Sequence, residues 1–169
     1  MEEPDIDATE GQYLTAQICL SGHIANDRIE HAAENNKAFC DTCGEATITQ
    51  CPNCSTPIRG YYLKHSGFRS HALFAPPAFC YSCGVAFPWT GARLKAAREL
   101  AMEIDSLTDG EREALAKSLD DLVRDNPRTQ LAIVRTKKAL AKAGPVAKAI
   151  WDTIRPIVTD AVRAAVGPS

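Results

Sequence analysis

The chain has 169 residues, of which 45% are hydrophobic and 24% are charged, and its formal net charge is −2 at pH 7. This length fits one domain or two small ones, and so small a net charge does not indicate a nucleic-acid or membrane partner for the chain as a whole. The sequence has no run of about 20 apolar residues, as a transmembrane helix requires, and its acidic residues 1–11 lack the apolar segment of a signal peptide. We therefore expect a cytoplasmic protein in which residues 1–11 form a disordered leader.

Cysteine and histidine are concentrated in four short turns, here called knuckles, at spacings typical of metal sites. Residues 19–23 read C-L-S-G-H, and C-x-x-C pairs follow at 40–43, 51–54 and 80–83. Two residues between ligands allow both side chains of a tight turn to reach one ion. We predict two structural zinc ions, with iron at an all-cysteine site as the alternative. The eight predicted ligands use every cysteine: Cys19, His23, Cys40, Cys43, Cys51, Cys54, Cys80 and Cys83.

The pairing of the knuckles has two solutions. Sequential pairing joins the first knuckle to the second and the third to the fourth, whereas a cross-brace, as in RING-type ligase domains, joins the first to the third and the second to the fourth. Sequential pairing is favoured because each loop closure is then local and costs less chain entropy. Short strands are predicted at residues 13–18 and 47–49. Together with the knuckles they predict a tandem zinc ribbon over residues 12–90, with short β-hairpins around two zinc ions.

The third and fourth knuckles are separated by an insert, residues 57–79, that is rich in aromatic side chains. It is predicted either to recognise a partner or to pack on the helices that follow. Its aromatic residues are Tyr61, Tyr62, Phe68, Phe74 and Phe79. Three further histidines, His31, His65 and His71, have no second ligand at short spacing. We interpret them as ordinary surface or loop residues rather than as ligands or catalytic bases.

The composition changes at Gly91, after which the chain has no cysteine or histidine and its apolar residues follow a helical period. Thr90 is predicted to cap a first helix that ends near Ile104. Thr108 and Glu111 match a capping box that opens a second helix. These patterns, with those described next, predict a helical domain of about four helices over residues 91–169. The predicted fold is therefore small α+β, with a ribbon domain before an all-α region.

Three prolines organise the later helices. Asn126 and Pro127 are predicted to cap and begin the third helix, which ends before Gly144 and its following proline. The fourth helix, over residues 145–166, contains Pro156, which predicts a kink or a break. Its apolar stripe is predicted to close a helical bundle or to join two copies of the chain. Contact with a membrane is the least favoured alternative, because the polar side of this helix carries charges of both signs.

The third predicted helix lies in a basic stretch, since no acid occurs between Asn126 and Trp151. Arg135, Lys138 and Lys142 fall on one helical face. A solvated face is the ordinary interpretation, and contact with nucleic acid or an anionic lipid surface is the alternative.

Several longer motifs resemble those of a known bacterial family. They include F-C-D-T-C-G, C-P-N-C-S-T-P-I-R-G, P-P-A-F-C-Y-S-C-G and L-T-D-G-E-R-E-A-L. The family is identified only as a domain of unknown function, and its members resemble tandem zinc ribbons with a helical tail. The similarity covers about residues 15–142 and implies zinc ligation by the eight positions given above. It implies no activity.

The sequence contains no H-E-x-x-H motif, phosphate-binding glycine loop or nucleophile elbow. Both predicted metal sites are closed, whereas catalytic zinc usually keeps an open position. We therefore predict a non-enzymatic adaptor whose ribbons and aromatic insert recognise a protein. One alternative is a nucleic-acid-binding regulator that uses the basic helix at 127–148. A second is a RING-like ligase scaffold, which requires the cross-brace.

Overall fold

The structure is a computed structural model that describes residues 11–63 and 74–167. The chain divides into two compact units, Met1–Val85 and Ala86–Ser169. In the described residues, the first unit contains two small antiparallel sheets and the second contains five α-helices. The predicted α+β fold, with small sheets and metal-ligand clusters before a helical region, is confirmed. The predictions for the leader at 1–10 and for His65, Phe68 and His71 lie outside the described residues.

The five strands of the first unit are β1 (Gln12–Thr15), β2 (Gln17–Cys19), β3 (Ile24–Asn26), β4 (Thr47–Ile48) and β5 (Arg59–Leu63). Strand β1 pairs with β5, and the second sheet has the order β3-β2-β4. The single strand predicted at 13–18 is divided at Ala16, which is fully buried. Its amide donates to the carbonyl of Ile58 at 2.8 Å. The chain therefore leaves one sheet and enters the other at this residue.

The apolar core of the first unit is small. Apart from four cysteines, its buried apolar residues in the described part of the chain are Leu14, Ala16, Ile18 and Ile58. Four such side chains, one of them an alanine, cannot offset the conformational entropy of ordering a unit of this size. We therefore expect metal binding to contribute much of the stability of this unit.

The five helices of the second unit are α1 (Pro88–Met102), α2 (Asp109–Arg124), α3 (Thr129–Lys142), α4 (Pro145–Ile154) and α5 (Asp160–Val166). Helix α1 packs on α2 and α4, and α2 packs on α3. The most deeply buried apolar side chains include Trp89, Leu115, Leu119, Leu122, Ile150, Ile154 and Val162. None of these helices, in the part of the chain that the structure describes, is long and apolar enough to cross a membrane.

Pro156 breaks the last predicted helix in two, which is why five helices are found instead of about four. Helix α4 ends at Ile154, and Arg155–Ile157 form a 3₁₀ turn. Val158 is extended, and the Thr159 hydroxyl then accepts a hydrogen bond from the amide of Val162 at 3.4 Å, which caps α5. Most of the larger apolar side chains of α4 and α5 are buried within the helical unit, as expected for a bundle core: Ile150, Trp151, Ile154, Val162 and Val166.

The predicted helix starts are partly right. The capping box is confirmed, because the Glu111 amide donates to Thr108 Oγ1 (3.3 Å) and the Thr108 amide donates to Glu111 Oε2 (2.9 Å). Helix α1, however, begins at Pro88, so that Thr90 lies inside it. Proline is suited to a first helical turn because its missing N–H has no helical acceptor there. Helix α3 begins at Thr129 rather than at 127, because Asn126 Oδ1 instead caps a short turn by accepting from the Arg128 amide.

Candidate metal centres

The eight predicted ligands lie in two groups, and within each group the ligand atoms all lie within 4.8 Å of one another. The first site contains Cys19, His23, Cys40 and Cys43, and the second site contains Cys51, Cys54, Cys80 and Cys83. Each group combines two consecutive knuckles, so the structure has the sequential arrangement. The cross-brace alternative, which would join the first knuckle to the third, is wrong for this chain. The RING-like scaffold loses its structural basis with it.

Ligand atoms in the first site lie at the separations expected for the corners of a zinc tetrahedron. The Cys19 and Cys43 sulfurs are 3.8 Å apart, and His23 Nδ1 lies 3.6 Å from Cys19 Sγ and 3.7 Å from Cys40 Sγ. Zinc bonds of about 2.3 Å to sulfur and about 2.0 Å to nitrogen give tetrahedral edges of about 3.8 Å between sulfurs and about 3.5 Å between sulfur and nitrogen. The residues present therefore fit a zinc ion.

The second site has the same dimensions. The distance between sulfurs is 3.8 Å for Cys51 and Cys83 and 3.6 Å for Cys54 and Cys80. A disulfide would bring two sulfurs to about 2.05 Å, and every cysteine of this chain is a free thiol. Four thiols at tetrahedral spacing suit zinc, and they also suit iron.

The three C-x-x-C knuckles share one backbone conformation, which explains their sequence. The amide of the residue after the second cysteine donates to the carbonyl of the first, and this residue has a positive φ of 75° at Gly44, 59° at Ser55 and 71° at Gly84. Glycine suits this left-handed conformation because it has no Cβ. The donor–acceptor pairs are Gly44–Cys40 (2.8 Å), Ser55–Cys51 (2.8 Å) and Gly84–Cys80 (2.9 Å).

The first knuckle is built differently because its second ligand is a histidine. Gly22 has a φ of 89°, and its amide donates to the Cys19 carbonyl at 2.8 Å. The His23 amide donates to Cys19 Sγ at 3.1 Å, and the His23 carbonyl accepts from the Cys19 amide at 2.9 Å. These bonds fix the turn so that Nδ1 of His23 points at the cysteine sulfurs.

The environments of the thiols differ within each site. Backbone amides, first that of Thr42, lower the pKa of Cys40 to about 6. A hydrogen bond with the Thr56 hydroxyl likewise lowers the pKa of Cys54 to about 6. Burial raises the pKa of Cys51 to about 11 and also raises that of Cys19. Because metals bind the thiolate, these environments favour ionisation of Cys40 and Cys54 over that of Cys19 and Cys51.

Burial follows the same order in both sites. The first and third ligands along the chain are buried, the second is partly buried and the fourth is exposed. Each site thus has two buried ligands, one partly buried ligand and one exposed ligand. Each cluster offers four candidate donors, the number that a closed tetrahedral zinc site uses.

An exposed aromatic surface lies beside the second site. The Arg59 guanidinium lies 3.7 Å from the ring centroid of Tyr81 and 4.8 Å from that of Tyr13, and the Tyr13 and Tyr62 rings are 4.8 Å apart. Tyr13 is 53% exposed and Tyr81 is 55% exposed. We call Tyr13, Arg59, Tyr62 and Tyr81 the tyrosine–arginine surface. Tyr81 belongs to the fourth knuckle, so this surface is anchored to a metal cluster.

Sequence reasoning found Tyr62 but missed the other members of this surface. Arg59 and Tyr13 meet because β1 pairs with β5. Tyr81 could have been noticed, because it stands between the two ligands of a C-x-x-C turn, where a side chain points away from the metal. The remaining described histidine, His31, lies outside both sites.

The basic residues of α3 are exposed, as predicted for a surface face. Lys142 forms an ion pair with Glu111 at 2.6 Å. Arg135 and Lys138 have no hydrogen-bond or ion-pair partner among residues 11–63 and 74–167. The same helix exposes Leu131 (49%) and Val134 (50%), so this face is apolar as well as basic.

A family model matches most of the chain. The model described as "Uncharacterized protein conserved in bacteria (DUF2321)" matches residues 12–167. No curated protein and no solved structure matches the chain. The family match spans both metal-ligand clusters and all five helices.

Proposed function

We propose that this chain, which belongs to the bacterial family DUF2321, is a non-enzymatic adaptor whose first unit is held together by two zinc ions. Its tyrosine–arginine surface binds a partner protein. The observation that carries this proposal is a guanidinium that stacks on two half-exposed tyrosine rings, one of which, Tyr81, belongs to a metal-ligand knuckle.

Zinc is the metal that both donor sets support. The first site offers three cysteines and a histidine, and the second offers four cysteines. Three thiolates with one imidazole are a common structural zinc set. With four protein ligands per ion, no coordination position is left for a substrate or a reactive water. The ions in this proposal therefore stabilise the fold and do not take part in a reaction.

The tyrosine–arginine surface has the composition of a protein-binding hot spot. Tyrosine and arginine are enriched among the residues whose truncation weakens protein complexes most. Stacking already holds Arg59 between Tyr13 and Tyr81. Because these side chains are ordered before binding, they lose less conformational entropy when a partner docks.

The charge of the first unit favours a protein partner over nucleic acid at this surface. Residues 12–85 contain five acidic and five basic side chains, so their formal charges balance before metal binding. Seven metal-bound thiolates would outweigh two divalent cations and make the unit more acidic. An acidic surface repels phosphates, whose neutralisation dominates nucleic-acid binding.

The test is a site-specific crosslink followed by a binding measurement. A photo-crosslinking amino acid at Tyr81 is expected to capture a partner in cells of the source bacterium. The same amino acid at Asp41, the equivalent position of the second knuckle, serves as the matched control. The captured protein, once purified, should then bind Tyr81→Ala at least about 30-fold more weakly than wild type, with the zinc content unchanged. Equal capture at both positions, or unchanged affinity of Tyr81→Ala, would contradict the proposal.

A second candidate function is nucleic-acid binding through α3. It is favoured by the absence of any acidic residue in α3 and by the exposed, unpartnered Arg135 and Lys138 described above. It predicts an affinity that falls steeply with salt and that drops in the double variant Arg135→Glu/Lys138→Glu. Lys117→Glu, an exposed lysine on α2, is the control. The exposed Leu131 and Val134 instead favour a protein partner for α3, because binding to phosphates does not require apolar contacts.

A further inference from the structure

The helical unit contains a groove that neither the metal sites nor the tyrosine–arginine surface uses. It lies along α4 and α5 and has a volume of about 810 Å³. This volume is within the range of about 300–1,000 Å³ that small-molecule sites occupy. Its lining includes Leu140, Ala147, Trp151, Arg155, Arg163 and Val166.

The floor of the groove is apolar. Trp151 is 6% exposed and Val166 is 7% exposed, and both line the groove together with Leu140 and Ala147. A buried tryptophan side chain usually finds a hydrogen-bond partner for its indole N–H. In the part of the chain that the structure describes, the Trp151 N–H has no such partner. The indole nitrogen is also accessible to solvent. Among the described residues, the side-chain polar atom that is both buried from solvent and without a hydrogen-bond partner is Thr136 Oγ1, not the nitrogen of Trp151.

The rim of the groove carries one uncompensated positive charge. Lys148 forms an ion pair with Asp152 at 2.5 Å, and Arg163 forms one with Asp160 at 2.7 Å. Arg163 Nε also donates to the backbone carbonyl of Arg155 at 2.9 Å, which holds the Arg163 side chain beside the Arg155 backbone. The Arg155 guanidinium has no ion-pair or hydrogen-bond partner within the described ranges.

From these observations we propose that the groove binds a free amphipathic carboxylate. The carboxylate pairs with Arg155, whose planar fork can donate two parallel hydrogen bonds to it, and the indole N–H of Trp151 offers a further donor. The apolar part of the ligand covers Trp151, Leu140 and Val166. A single uncompensated cation selects a single negative charge, and an apolar floor selects against small hydrophilic anions such as phosphate.

The proposal is independent of the adaptor function, because every residue it uses lies in the helical unit. The probe is decanoate, kept below its micelle concentration and titrated calorimetrically into the full zinc-loaded chain. We expect saturable binding of one decanoate per chain. Decanol, which has the same apolar tail without the charge, should bind at least about tenfold more weakly, because a hydrogen bond to a charged group is lost.

Two variants test the charge of Arg155 and the space in the groove separately. Arg155→Gln should weaken decanoate binding about tenfold and leave decanol binding unchanged. Ala147→Phe, which places a larger side chain at a half-buried position lining the groove, should abolish binding of both while the helical circular dichroism is retained. Lys117→Gln is the matched control and should bind decanoate as wild type does.

Several results would overturn the proposal. These are non-saturable or multiple binding by wild type, equal decanoate affinity in wild type and Arg155→Gln, and retained binding in Ala147→Phe. Association with phosphatidylglycerol vesicles in the absence of decanoate binding would identify a lipid surface as the ligand and would equally overturn it. The crosslinking test at Tyr81 is unaffected by either outcome.

Discussion

Ser55 occupies in the third knuckle the position that Gly44 and Gly84 occupy in the second and fourth. All three residues have a positive φ, a conformation that costs a residue with a Cβ about 1–2 kcal/mol. Serine tolerates it here because its amide is held by the Cys51 carbonyl at 2.8 Å. The turn around the metal ligands therefore determines the backbone conformation of the residue after the second cysteine. The type of that residue determines how much conformational energy the turn costs.

Replacing Gly84 by alanine isolates this backbone cost. A Cβ at this position would have nothing within 4 Å, so the substitution changes conformational energy without a steric clash. We expect Gly84→Ala to weaken zinc binding at the second site about tenfold, since about 1.4 kcal/mol corresponds to a factor of ten. Competition with a chromophoric chelator measures this change, and Ser55→Gly should shift the affinity in the opposite direction.

Gly91→Ala is the control for that comparison. Gly91 lies in α1, its φ is not positive, and its Cβ would also have open space. Alanine is favoured over glycine in a helix by about 1 kcal/mol, so this variant should leave zinc affinity unchanged. Equal zinc affinities for Gly84→Ala and wild type would show that the knuckle turn does not depend on glycine.

Helix α2 is stabilised at its start by Glu111, which has two roles. Its side chain accepts from the Thr108 amide in the capping box and forms an ion pair with Lys142 on α3. The hydrogen bond with Lys142, followed by those with Thr108, lowers the pKa of Glu111 from its ordinary value of 4.5 to about 2. A carboxyl group whose pKa is lowered by folding stabilises the folded state above its unfolded pKa.

This pKa predicts how the helical unit responds to acid. The contribution of Glu111 to the free energy of unfolding should be fully present above pH 4.5 and should be lost as the pH falls towards about 2. Glu111→Gln keeps the capping geometry but cannot ionise, so its free energy of unfolding should fall less than that of wild type over this range. Urea unfolding followed by tryptophan emission measures the difference.

Glu113→Gln is the control for the acid response, since Glu113 is exposed on the same helix. Its pH dependence should match that of wild type. If wild type and Glu111→Gln lost the same free energy of unfolding between pH 4.5 and pH 2, the ion pair with Lys142 would not contribute to the stability of the folded state.

At the level of secondary-structure elements, the features that could be predicted are those determined by residues close together in the sequence. The C-x-x-C-G pattern encodes both the ligands and the turn, and Thr108 and Glu111 encode a helix start within four residues. Pro156 likewise predicted a break because its ring cannot continue a helix. In each case the interacting groups are neighbours in the chain.

The features that sequence reasoning missed depend on contacts between distant residues. Ala16 divides the predicted strand because its amide bonds to Ile58, a residue 42 positions later. Arg59 stacks on Tyr13 and Tyr81, which lie on either side of it in sequence and meet it only through strand pairing and the fourth knuckle. No local pattern specifies such contacts, so the metal ligands were predictable and the surface beside them was not.

On the scale of the whole molecule, the two units obtain their stability from different sources. The described part of the first unit buries four apolar side chains besides cysteines, whereas the helical unit has an extensive apolar core of its own. The chain also separates its chromophores, since its four tyrosines are at 13, 61, 62 and 81 and its two tryptophans are at 89 and 151. Tyrosine therefore reports on the first unit and tryptophan on the second.

Removing zinc should unfold the first unit and leave the second folded. With excess chelator we expect loss of the near-ultraviolet circular dichroism of tyrosine, because structural zinc supplies folding free energy directly. Tryptophan emission and most of the helical signal at 222 nm should remain. Restoring zinc in slight excess should recover the tyrosine signal. Simultaneous loss of both signals would show that the helical core is not self-sufficient.

We propose that the first unit folds around two closed zinc sites, and metal content per chain tests this claim most directly. Elemental analysis of freshly purified wild type should give close to two zinc ions and no stoichiometric iron. Cys51→Ser should give close to one, because it removes a buried ligand of the second site and leaves the four ligands of the first intact. One ion or none in wild type, or two in Cys51→Ser, would contradict the claim.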